Sequence, residues 1–141
     1  MKRDVIETKT ALIWVSEEGI LWMRVLPKAI LNLAGVEENT AIVRQLTKNQ
    51  KMPLLIDISE IGGITRDARI FSAGKEVDGV LSAMAVLINS PFTRTIGNLW
   101  FGINKPVFQS KMFTSEEEAL VWLKGFLPNK PCSQVVEGVV E

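Results

Sequence analysis

The chain has no histidine anywhere in its 141 residues and a single cysteine. Without histidine there is no Ser-His-Asp or Cys-His catalysis and no histidine-based metal site. The lone Cys132, in "NKPCSQ", can close no internal disulfide and build no cysteine zinc cluster, which fits a reducing compartment. A surplus of charge is missing too. Lys plus Arg is 16 and Asp plus Glu is 16, so there is no basic excess of the kind that neutralises nucleic-acid phosphates. No stretch approaches the ~20 apolar residues of a membrane span. The opening "MKRDVIETKT" has no apolar run after its charges, unlike a secretory signal. A paired-carboxylate motif for acid–base work is also absent. The expectation is a cytoplasmic, non-enzymatic protein with no cofactor, no metal, no nucleic-acid partner and no membrane span.

What remains is apolar. At 47% hydrophobic the chain can bury a sizeable core, and its length suits one domain. That domain is expected over residues 1–127. Residues 128–141, "PNKPCSQVVEGVVE", lack a core-quality pattern and are expected to be a mobile tail.

"TALIWVS" (10–16) and "ILWMRVL" (20–26) are rich in β-branched and aromatic residues, and "EEG" lies between them. They predict a β-hairpin. Leu33, Val36, Val43 and Leu46 recur at helical spacing behind Asn32, predicting a capped helix over 33–48. "LLIDI" (54–58) is a continuous apolar run broken only by Asp57, as in a strand buried on both faces. Thr65 can cap a helix carrying Ala68, Ile70 and Phe71. "AMAVLI" (83–88) is another buried strand. Ser90 and Pro91 then open a helix whose face is Phe92, Ile96, Leu99 and Trp100. "VFQSKMF" (107–113) is the last strand. In "TSEEEALVWLKGFL", Ser115 and Glu118 have capping-box spacing, and three acids sit where the helix dipole favours them.

The order β-β-α-β-α-β-α-β-α predicts an α/β domain. Its sheet would be mostly parallel and five-stranded, with an N-terminal hairpin and about four helices. Ligands of such sheets favour the carboxyl ends of the strands. Those ends carry Asp57 to Thr65, Asn89 to Arg94, and Thr114 to Ser115.

"PLLIDISEIGGITRDARIFS", "AVLINSPFTRTIGNLWFGINKP" and "MFTSEEEALVWLKGF" resemble the STAS family of anti-sigma-factor antagonists. They are most similar to small bacterial SpoIIAA-like domains of unassigned function. The resemblance implies a protein-binding regulatory module. In the antagonists, a strand-end Asp is followed by an Asp-Ser pair at a helix start, and that serine is phosphorylated. Asp57 matches the strand-end acid, but Thr65-Arg66 stands where the Asp-Ser pair falls. The resemblance thus also implies a module without the serine switch.

Two groups of candidate residues follow. Asp57, Ser59, Thr65, Arg66, Asn89, Ser90 and Arg94 form a candidate anion or partner loop, because Arg66 and Arg94 each lie in the first turn of a helix near free backbone donors. Asp57 is also suited to hold the Gly62-Gly63 loop by accepting its backbone N–H groups. Phe92, Ile96, Trp100, Phe101 and Ile103 form a candidate apolar interface or pocket, since adjacent aromatics on a helix point different ways. The expected function is a self-associating or partner-binding module. The alternative is a carrier of a lipid or small apolar ligand.

Overall fold

The structure is a computed structural model that describes residues 4–48, 50–72, 74, 77, 79–102 and 108–127, with Phe101 and Gly102 described by backbone only. The expected tail, Cys132 and Ile103 lie outside the described residues. The elements run β1 (Ile6–Glu7), β2 (Ala11–Val15), β3 (Leu21–Val25), β4 (Ile30–Leu31), α1 (Leu33–Thr47), β5 (Met52–Asp57), β6 (Gly63–Ile64), α2 (Arg66–Ser72), β7 (Leu81–Leu87), α3 (Pro91–Gly102), β8 (Gln109–Phe113) and α4 (Glu116–Lys124).

The main sheet has the order β1-β2-β3-β5-β7-β8. β1 and β3 pair antiparallel to β2, while β3, β5, β7 and β8 run parallel. All five expected strands and all four expected helices are present. β1 adds a sixth strand at the hairpin edge, and β4 and β6 form a separate parallel pair. In the hairpin Trp14 lies opposite Trp22, and their rings stack 5.5 Å apart.

Period-2 alternation divides the strand residues between two cores. Leu21, Met23, Leu54, Ile56, Met84 and Val86 face α1, α2 and α3 in the larger one. Leu55, Ala83, Ala85 and Phe113 face α4, against Ala119 and Leu123, in the smaller one. This two-sided burial explains why β5 and β7 read as continuous apolar runs.

Local capping fixes where the helices begin. Asn32 accepts a hydrogen bond from Gly35 N at 2.8 Å, and Ser115 accepts one from Glu118 N at 3.3 Å. Among the described residues, no helix is long and apolar enough to cross a membrane.

Candidate functional site

The carboxyl ends of the parallel strands lie side by side, and backbone bonds tie the loops that leave them. Ile58 N donates to Leu87 O at 3.1 Å, and Ile88 N donates to Phe113 O at 2.9 Å. The β5 loop with Asp57 and Ser59 is therefore laced to the start of the β7 loop with Asn89 and Ser90.

Asp57 is the last residue of β5 and points to the side of the sheet that α4 partly covers. Its side chain is only 15% exposed. Oδ1 accepts from Ser59 N at 2.9 Å and from Ser59 Oγ at 2.6 Å, which makes a local Asx-type turn. Oδ2 lies 3.6 Å from Arg24 Nε on the neighbouring strand, where Arg24 and Asp57 are register partners. The Arg24 guanidinium also sits 5.9 Å from the centre of the Trp14 ring. Asp57 thus holds the Ser59 turn rather than the Gly62-Gly63 loop, because Ser59 is near enough to fill its oxygen from two residues away. With both oxygens engaged, Asp57 works as a brace.

Gly62 and Gly63 run beside β4. Lys28 N donates to Glu60 O and Gly62 N donates to Ala29 O, both at 2.7 Å, and Gly63 then pairs with Ile30. The two glycines lie against protein backbone, where a phosphate nest would need their N–H groups to converge on open space.

Thr65 Oγ1 donates to Asp67 Oδ1 at 2.5 Å and accepts from Ala68 N at 3.4 Å. Its hydroxyl is spent on the first turn of α2. Arg66 and Arg94 are both exposed, and neither is drawn into an ion pair among the described residues. Arg69 behaves differently. Its Nη1 donates to Leu99 O at 3.4 Å, clipping α2 to the last turn of α3.

Ser90 and Thr93 close a reciprocal cap at the start of α3. Thr93 N donates to Ser90 Oγ at 3.1 Å, while Thr93 Oγ1 accepts from Asn89 N and Ser90 N at 3.0 Å each. Thr93 plays the part that Glu plays in a capping box. These hydroxyls bond to one another and to backbone, and none is seen with a base that would activate it.

The apolar candidates on α3 divide between two sides of the helix. Ile96 and Trp100 face inward, with Trp100 only 3% exposed. Phe92 faces outward at 52%, and Leu99, seven residues on, at 40%. On α2, Ile70 is exposed as well. Phe92 and Leu99 share one helix side because seven residues make almost two turns. That spacing was visible in the sequence, but it could not say which side of α3 the sheet would take.

A polar cluster with no sequence signature joins α1 to the β1–β2 turn. Thr8 Oγ1 donates to Asn39 Oδ1 at 2.7 Å, and Asn39 Nδ2 donates to Thr10 Oγ1 at 3.0 Å, all buried. These residues are far apart in sequence, and their types favour surfaces. No group of His, Cys, Asp and Glu that could hold a metal occurs among the described residues.

No curated protein matches the chain. Several solved structures share its fold. One is an uncharacterized protein of the DUF3478 family with a SpoIIAA-like fold from Shewanella loihica PV-4, at 18% identity and TM-score 0.53, covering 86% of this chain and 92% of that one. An anti-sigma factor antagonist from Mycobacterium paratuberculosis is similar at 16% identity and TM-score 0.50, covering 87% and 93%. The antagonist SpoIIAA in its unphosphorylated form is similar at 13% identity and TM-score 0.51, covering 88% and 99%. At such identities these likenesses show the SpoIIAA-like fold. Over residues 13–127 the chain matches the family described as a domain of unknown function, DUF7793, and it belongs to that family.

Proposed function

We propose that the chain is a non-catalytic regulatory module that binds protein, in the first instance a second copy of itself, through the outer side of α2 and α3. The observation that carries this reading is the exposure of Phe92, Leu99 and Ile70 on two helices clipped together by Arg69. Large apolar side chains gathered on neighbouring helices are a feature of docking surfaces. Arg66 and Arg94 supply positive charge on the same helices, unpaired among the described residues. Two structural relatives are anti-sigma factor antagonists, which supports regulation by protein binding.

In this reading the serine switch is absent. Thr65 is held by Asp67 and the α2 backbone, and the guanidinium of Arg66 accepts no phosphoryl group. Catalysis is disfavoured because the chain has no histidine and because Asp57, Ser59, Ser90 and Thr93 are engaged in structural bonds. The domain over residues 1–127 would carry the whole docking surface, and a cytoplasmic site of action fits the single cysteine.

The test is light scattering across a concentration series, on the wild type and on Phe92→Glu/Leu99→Glu. Both positions are exposed, so the double variant should fold, as circular dichroism would verify. Mass rising with concentration in the wild type and not in the variant supports the reading. A wild type that stays monomeric throughout removes self-association. Trp100→Glu would be a poor probe, because it buries a charge in the core.

A further inference from the structure

The zero net charge of the chain conceals local excesses of opposite sign. On one side of the sheet, α2 and α3 carry Arg66, Arg69 and Arg94 against a single acid, Asp67, which is bonded to Thr65. On the other side, α4 opens with Glu116, Glu117 and Glu118, all exposed. Its cation, Lys124, is drawn to Glu18 at 3.2 Å. No ion pair among the described residues engages Arg66 or the three glutamates.

Each excess accompanies exposed apolar surface. Arg66 and Ile70 are four residues apart, so they share the outer face of α2. Arg69 clips that helix to α3, whose outer side carries Phe92 and Leu99. On α4, Ala119 and Leu123 turn to the sheet, which leaves Glu117 and Val121 together on the opposite face. Val121 is 71% exposed, the most exposed large apolar side chain among the described residues. One face is thus apolar and basic, and the other is apolar and acidic.

We propose that the outer face of α4 in one copy of the chain docks on the α2–α3 face of the next, with Val121 against Phe92 and Leu99 and with Glu117 toward Arg66. This pairing rests on the docking reading of α2 and α3 and names the surface that fills it. Charge selects the pairing. Two α2–α3 faces brought together would set Arg66 and Arg69 against their own copies, and two α4 faces would do the same with the glutamates. Like charges set against each other across an interface are costly. The unlike pairing matches apolar to apolar and acid to base at once, and with no net charge there is no long-range repulsion between copies. The two faces lie on opposite sides of the sheet, so one copy can use both. The contact is therefore head-to-tail and continues past two copies, as a chain or a ring.

The test is sedimentation of the full chain as wild type, as Phe92→Glu and as Val121→Glu, each alone and the two variants mixed in equal amounts. The wild type should pass the mass of two copies as concentration rises. Each variant alone has one spoiled face and should need at least about tenfold more protein to associate. In the mixture, the intact α4 of Phe92→Glu meets the intact α2–α3 face of Val121→Glu, and the mass should reach two copies and stop there. Circular dichroism checks the fold, and Glu117→Arg replaces Val121→Glu if that variant does not fold. A charge swap tests the register: Arg66→Glu and Glu117→Arg should each weaken assembly, and the double variant should recover it. A wild type that stops at two copies overturns the proposal, as does a mixture that stays monomeric or a swap that recovers nothing. A folded Val121→Glu that assembles like the wild type overturns it too, and leaves the docking reading of α2 and α3 standing. A monomeric wild type, or a Phe92→Glu that assembles normally, removes both.

Discussion

Gly62 lies against the Lys28 carbonyl so closely that a β-carbon at position 62 would sit 2.8 Å from the Lys28 carbonyl carbon and 3.2 Å from the Ala29 oxygen. The backbones cannot drift apart, because hydrogen bonds of 2.7 Å lock them on either side. Lys28 itself already has φ 63, so it has little room to yield. Gly62→Ala should therefore lower stability by about 1–3 kcal/mol, the usual cost of overpacking. Gly63→Ala is the control. Its β-carbon would meet only Ile30 Cδ1 at 3.5 Å, an ordinary contact, and its cost should stay below about 1 kcal/mol. Urea unfolding of the two variants measures the difference. Equal stabilities would mean that the β4–β6 pairing is looser than the structure shows.

Asp57 braces two neighbours of unequal weight. Ser59 takes one oxygen through two hydrogen bonds, whereas Arg24 lies 3.6 Å from the other with its side chain 53% exposed. Exposed ion pairs contribute about 0–1 kcal/mol, while leaving a part-buried N–H without an acceptor costs about 1–3 kcal/mol. Asp57→Ala should thus destabilise clearly more than Arg24→Ala, with Asp57→Asn between them because it keeps a carbonyl acceptor. Thermal melts rank the three. If Arg24→Ala equals Asp57→Ala, the ion pair rather than the Ser59 turn carries the effect.

The Thr8–Asn39–Thr10 cluster should be the costliest polar site to break. Asn39→Leu keeps roughly the same volume but leaves the Thr10 oxygen without its donor, while the Thr8 hydroxyl keeps Ala11 O at 3.3 Å. That one group should cost about 1–3 kcal/mol, and Thr8→Val, which takes the partner from Asn39 Oδ1 and from the Thr10 N–H, about 2–4 kcal/mol. Chemical denaturation gives the values. A near-neutral Asn39→Leu would show that water reaches the cluster.

These three sites show what the sequence could and could not reveal. Asn32, Ser90 and Ser115 were legible as helix starts because a cap is satisfied within three residues of itself. The apolar strands were legible because burial on both faces leaves no alternation to misread. β1, β4 and β6 were not. Each has two residues, and each exists through bonds to a distant segment, as when Gly63 pairs with Ile30. In the candidate site, the identities of Asp57, Thr65 and Ser90 pointed to structured loops. Their partners depended on proximity in space: Arg24 reaches Asp57 from the neighbouring strand. The division of α3 into a buried Trp100 and an exposed Phe92 depended on which side the sheet took.

Gly97 offers a prediction whose sign depends on a neighbour. It lies in α3 against β8, where an added β-carbon would overlap Met112 Sδ and lie 3.3 Å from its Cγ. Glycine inside a helix is about 1 kcal/mol worse than alanine, so Gly97→Ala on propensity alone would stabilise. Overpacking a core contact costs about 1–3 kcal/mol, and methionine flexibility lowers that without removing it. The net effect in the wild type should be a loss of up to about 2 kcal/mol. In a Met112→Ala background the obstacle is gone, and the same substitution should stabilise by a few tenths to about 1 kcal/mol. A double-mutant cycle read by urea unfolding should thus show strong coupling between positions 97 and 112. Additive effects would mean that α3 stands farther from β8 than the structure places it.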